Sequence, residues 1–172
     1  HEFVATLFYL GSWKTIDDAF LDPPLSTEQI LHPELYLEKH GPEEVTLPSF
    51  PALVDLGWYV LESNTLGEFF WRVFLEEKLA SQLALEAAAG WGGDRYALFG
   101  HADGSRALAI LTQWDSPEDS NQFVHAIQLY ATLPSSPAVS VTSRQNEQQV
   151  LIVFSDDHKI SEILEGEFLN VS

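Results

Sequence analysis

The chain has 172 residues, 45% of them hydrophobic and 20% charged, enough apolar side chain to bury a core within one domain. Eight Lys and Arg stand against 26 Asp and Glu, a formal net charge of −18, and a surface this negative repels phosphate backbones and anionic lipid headgroups. Nucleic-acid binding and polybasic membrane docking are thereby excluded, and the absence of Cys excludes a disulfide framework, a thiolate metal ligand and a cysteine nucleophile.

No stretch reaches the ~18–20 consecutive apolar residues of a membrane span, and no charged segment followed by an apolar one marks a signal peptide. The absence of Met predicts a processed or excised piece of a longer protein. Acidity with few Lys fits an extracytoplasmic surface, in a periplasmic, secreted or lipid-anchored protein.

Residues 2–10 are apolar at most positions and predict a mostly buried helix. Gly11 is placed to end it at C′, and Ser12 to cap a second short helix through Trp13, Ile16 and Phe20. Asp22-Pro23-Pro24 stops that helix, because Pro removes a backbone donor and drives its predecessor out of the α region. Ser26 and Gln29 have capping-box spacing for a restart, cut short by His32-Pro33, with one further turn over residues 34–39. Pro42, Pro48 and Pro51 predict an extended, irregular path to Asp55.

Residues 56–61 read as a strand. Asn64 or Thr65 then opens one long helix over residues 66–89, with Phe69, Phe70, Val73 and Phe74 on one side, an Ala-rich second half, and Gly90 at its end. Residues 95–99 and 107–114 form a hairpin around His101-Ala102-Asp103-Gly104-Ser105. Ser116-Pro117-Glu118-Asp119 starts a helix that carries Phe123, Ala126, Ile127 and Tyr130 on one face and stops before Pro134. A second hairpin joins residues 138–142 and 150–154 around residues 144–147, and a helix near residues 161–168 closes the chain.

The predicted fold class is α+β: N-terminal helices, then hairpin, helix, hairpin, helix, with helices over one face of a small antiparallel sheet. Residues 1–172 read as a single domain, with a helical and irregular subregion over 1–55 and an α+β subregion over 56–172.

Three blocks carry a family resemblance. The first is Gly11-Ser12-Trp13 followed by Pro23, Pro24, Ser26, Thr27, Glu28, Gln29, His32 and Pro33; the second is residues 88–96; the third is residues 112–116 leading into the helix with Phe123. In this order and spacing the chain resembles the C-terminal half of bacterial secreted or lipoprotein-like zinc metallopeptidases of the HExxH type. The resemblance implies a non-catalytic C-terminal domain that packs against the catalytic half and shapes its cleft. It places any zinc in that upstream half and makes the partner a protein: the upstream half or another subunit.

The chain itself lacks the metal motif. His1-Glu2 has no second His four residues on, and the six His, at 1, 32, 40, 101, 125 and 158, include no pair at i,i+3 or i,i+4 spacing. No metal ligands and no cofactor are expected here. Within the first block, His32 and Glu28 are the candidate catalytic residues, His32 as a neutral donor or proton carrier beside an active site supplied by the missing half. The competing account is a rigid corner in which Ser26 and Gln29 satisfy backbone donors.

Trp91, Gly92, Asp94 and Arg95 are the candidate substrate- or partner-binding residues, on a glycine-rich loop that lets backbone approach a ligand. The alternative is a tight helix-to-strand turn with Trp91 in the core and Asp94 and Arg95 in local hydrogen bonds. It is no phosphate loop, because the glycines precede a strand. The acidic pairs Asp17-Asp18, Glu43-Glu44, Glu76-Glu77 and Asp156-Asp157 lack an EF-hand pattern and read as a solvated face. Two other functions stand beside the accessory domain: a stand-alone protein-interaction module or complex subunit, and a hydrolase using two carboxylates across a cleft.

Overall fold

The computed structural model describes residues 1–143 and 148–170. The fold is α+β, with eight described helices and one five-stranded antiparallel sheet in the order β1-β2-β3-β5-β4. The strands are β1 (Tyr59–Asn64), β2 (Trp91–Gly100), β3 (Arg106–Trp114), β4 (Val139–Ser143) and β5 (Gln149–Phe154). The predicted β2–β3 hairpin is present, with Ala97 opposite Ala109. The two strands of the second predicted hairpin pair as β4 and β5, with Val141 opposite Ile152, while its turn at residues 144–147 lies outside the described residues.

Period-two alternation feeds both faces of the sheet. Ala97, Phe99, Ala109, Leu111, Leu151 and Val153 face one core; Trp91, Ile110, Trp114, Val150 and Ile152 face the other. The prediction of a single helix-covered face is corrected accordingly, since the three central strands are apolar on both sides and each side needs cover. The first face is covered by α4 (Pro51–Asp55) through Leu53, by Val45 and Phe50, and by α8 (His158–Asn170) through Ile160, Leu164 and Phe168. The second is covered by α5 (Glu68–Glu76), α6 (Ser81–Ala88) and α7 (Pro117–Thr132).

The α7 prediction holds in detail. Ser116 Oγ accepts from Asp119 N at 3.2 Å, Pro117 takes the first helical turn, and Phe123, Ala126, Ile127 and Tyr130 are all buried. Ser116→Ala is expected to cost about 1 kcal/mol in urea denaturation, the usual cost of a lost cap.

The predicted long helix is two helices, broken at residues 77–80. A straight 24-residue helix would run about 36 Å, longer than the roughly 30 Å of the nine-residue β3 beneath it. The break folds the Ala-rich half back, where Ala84, Ala87 and Ala88 pack in the core. The side of α5 marked by the sequence is buried only in part: Phe74 packs against the core beside the buried Trp71 and Leu75, while Phe69, Phe70 and Val73 are exposed. β1 starts three residues later than predicted, because α4 uses Leu56 and a positive-φ Gly57 to close its own end. The irregular stretch before Asp55 thus ends in a helix.

The N-terminal third forms an arm of α1 (Glu2–Leu21), α2 (Thr27–Leu31) and α3 (Pro33–Leu37). α1 is two helical halves bent at residues 11–12, but the positive φ falls on Ser12 (64°) and not on Gly11 (−149°). Gly11 is therefore not a left-handed C′ residue, and Ser12 occupies the bend. The expectation that α1 is buried is also overturned: Leu7 is its one buried residue. α1 is apolar on most sides, whereas α2 and α3 offer a single side to pack against, through contacts such as Phe3 on Tyr36. Ser26 caps α2 as predicted, accepting from Gln29 N at 3.3 Å, while Gln29 Oε1 reaches back one residue further, to Leu25 N at 2.7 Å.

Candidate functional site: a buried carboxyl cluster between α2 and α5

The first turn of a helix leaves backbone N–H groups without internal partners. Neither Asn64 nor Thr65 caps α5; its N-cap is Gly67, which has no side chain to accept. Residues distant in sequence accept instead. Asp94 Oδ1 accepts from Leu66 N at 2.8 Å and Asp94 Oδ2 from Gly67 N at 2.9 Å. Thr27 Oγ1 accepts from Phe69 N at 3.2 Å. Gly67 is required twice over: φ is +89°, and a Cβ would lie 2.4 Å from Thr27 Oγ1.

This arrangement draws the two sequence blocks together. Thr27, Glu28 and His32 come from the arm, Trp91 and Asp94 from β2, and Glu68 from α5 lies between them. His32 Nε2 is 3.1 Å from Glu68 Oε1. Glu28 and Glu68 are 5% and 1% exposed, and each has an Oε2 that is buried without a hydrogen-bond partner. Asp94 also accepts from Trp91 Nε1 at 3.0 Å.

The electrostatics of the cluster are unusual. Burial, reinforced by the charges of Asp115 and Glu68, raises the Glu28 carboxyl to about 7, against an opposing effect of His32. Burial raises Glu68 as well, opposed mainly by the His32 hydrogen bond and then by Arg72. Asp94 is raised by burial despite its N–H donors, and Asp115 by burial and then by Asp119. Near neutral pH, Glu28 is therefore divided between its acid and its carboxylate form. A protonated Glu28 can donate a hydrogen bond, and His32 Nε2 is placed to donate one to Glu68. Both carboxyls are enclosed and do not line an open cleft.

Of the candidate residues, His32, Glu28, Trp91 and Asp94 meet in this cluster. Residues 91–95 are the start of β2, neither a ligand loop nor a turn, with a bulge between Trp91 and Gly93. Trp91 is fully buried, and Gly92 lies against the Asp115 carboxyl, where a Cβ would be 3.1 Å from Oδ1. Arg95 does not join: strand alternation turns it to the sheet face opposite Asp94, where it is exposed. Glu68 and Asp115 were missed by sequence reasoning. The one available signal for Glu68 was an acid at the head of an otherwise aromatic helix. Gly90, expected to end the helix, does so at φ +77° with the Asp119 side chain pressed against it.

Among the described residues, no group of three or more His, Cys, Asp or Glu is arranged to hold a metal ion. Among them, too, no helix is long and apolar enough to cross a membrane.

The class defined by this architecture is an α+β domain on a five-stranded antiparallel sheet, carrying an N-terminal helical arm and a buried carboxyl cluster. A family model described as a domain of unknown function (DUF8575) matches residues 58–162, more than half of the chain, and the chain belongs to that family. No curated protein and no solved structure matches it. The matched span contains Glu68, Asp94 and Asp115; Glu28 and His32 lie before it, on the arm.

Proposed function

We propose that this chain is an accessory domain without chemistry of its own, which docks through α1 onto the upstream catalytic half of a zinc-metallopeptidase-like bacterial protein and helps shape its cleft. The observation that carries the reading is the exposure of α1: Tyr9 is 91% exposed, Trp13 69%, Phe20 83% and Leu21 86%. Apolar patches of this kind on a soluble domain mark interaction surfaces. A groove of about 350 Å³, lined by Phe3, Leu7, Ile16, Phe20, Pro24 and Ile30, runs beside them and offers a seat for an apolar side chain of the partner. The choice of occupant rests on the resemblance of the three sequence blocks, which implies a protein half in that position. The matching location is extracytoplasmic.

The test compares hydrogen exchange of α1 in the chain alone and in the longer protein. α1 is expected to exchange slowly in the longer protein, and the double substitution Trp13→Asp and Phe20→Asp is expected to abolish that protection while leaving the sheet amides unchanged. Equal exchange in both contexts overturns the reading. A chain that dimerises alone through α1, and loses dimerisation in the double variant, favours the stand-alone interaction module instead.

A further inference from the structure

The arm is fastened to the sheet body at α2 and α5, and the fastening encloses two carboxyls, Glu28 and Glu68, both raised by burial. The Phe69 N to Thr27 Oγ1 bond and the His32–Glu68 contact cross this junction. Glu28 on α2 and Glu68 at the head of α5 are both enclosed there, each with an oxygen that finds no donor. We propose that the α2–α5 junction is a pH-operated joint: with Glu28 protonated and His32 donating to Glu68 it holds the arm against the sheet, and loss of the Glu28 proton releases the arm. This does not depend on what α1 docks onto.

The surrounding charges fit such a device. From α2 and the residue after it, Glu28 and His32 face the junction, with Glu34 at 3.9 Å from His32 Nδ1 on the solvent side. From α5 come Glu68 and Arg72, and Arg72 is already engaged with Glu76 at 3.2 Å. Asp94 contributes from β2, Asp115 from the segment after β3, Asp119 from the start of α7 and His40 from the end of the arm. Carboxyls outnumber cations in this set, so each lost proton adds repulsion that His32, His40 and Arg72 offset only in part.

The direction follows from linkage. A carboxyl whose pKa is higher folded than unfolded binds its proton more readily in the folded state, so that proton favours folding. For Glu28 the contribution is fully present below about 4.5 and is lost as pH rises through about 7. Glu68 is shifted in the same direction, again by burial.

The experiment is native-state hydrogen exchange on the whole chain at about pH 5.5 and about pH 8, with protection factors corrected for intrinsic exchange. Protection in α2 and in the first turn of α5 is expected to fall by about tenfold or more, the ratio equivalent to one unit of pKa difference, while β3 and β5 change less. Glu28→Gln, neutral at every pH, is expected to abolish the fall. Raised salt is expected to leave it in place, since screening weakens surface repulsion far more than that between buried groups. Equal protection at the two pH values, a fall spread evenly over the sheet, or a fall that survives in Glu28→Gln overturns the proposal. If Glu28→Gln does not fold, Glu68→Gln is the second variant: it is expected to reduce the fall, and an undiminished fall overturns the proposal.

Discussion

Trp91→Ala should destabilise the protein by about 3–5 kcal/mol and lower the melting temperature by on the order of 10 °C. The ring is fully buried and belongs to the core beneath α5, α6 and α7, where Trp71 packs on Phe123 at 4.9 Å and Trp114 stacks on Phe123 at 4.5 Å. Interiors are close-packed, so the space left by an indole is only partly refilled by its neighbours. The loss has a second component, because the indole N–H no longer reaches the Asp94 carboxylate. Trp91→Phe separates the two: it keeps most of the apolar area and removes the hydrogen bond, and should cost about 1–3 kcal/mol. Thermal melts measure both, and a Trp91→Ala midpoint within about 2 °C of wild type would contradict the core assignment.

Asp94→Ala should cost about 2–4 kcal/mol in urea denaturation, because it orphans three donors at once: Leu66 N, Gly67 N and Trp91 Nε1. Part of the loss is returned, since a buried carboxylate is itself expensive and its removal recovers that desolvation. Asp94→Asn is the sharper probe. Its amide oxygen can still accept from Leu66 N, but its NH₂ then meets two donors, so the expected loss is about 1–2 kcal/mol. The combination of Trp91→Phe with Asp94→Asn should be non-additive by about 0.5 kcal/mol or more, because the two residues share one bond. Full additivity would mean that the bond contributes nothing. Exchange at Leu66 and Gly67 supplies the local readout: both amides should lose protection in Asp94→Ala before the strands do.

The parts of the fold that were legible in the sequence are those governed by neighbours in sequence. Ser116 and Ser26 cap helices in the structure because a cap needs only a hydroxyl three residues before the amide it serves. The β2–β3 hairpin and the buried face of α7 follow from periodicity alone. Errors arose where distant elements intervened. Asn64 and Thr65 were plausible caps, yet Asp94 and Thr27 supply the acceptors for α5 from β2 and α2. The pattern over residues 66–89 is helical throughout, yet the chain breaks at residues 77–80 and its Ala-rich half folds back into the core. In α1, hydrophobicity on all sides looked like burial and is exposure.

The candidate site was half legible for the same reason. His32, Glu28, Trp91 and Asp94 stood out because they sit in distinctive motifs, but nothing local links residues near 28 to residues near 94. Glu68 joins them only because α5 starts where its amides can reach Asp94 and Thr27. Net charge, the absence of thiol chemistry, the caps, the hairpins and the α+β class all follow from residue order and composition. The cover on both sheet faces, the exposure of α1 and the joint enclosure of Glu28 and Glu68 arise from how distant elements pack. Hydrogen bonds within a turn are set by spacing along the chain, whereas burial, and the proton affinity it alters, depends on which surfaces meet.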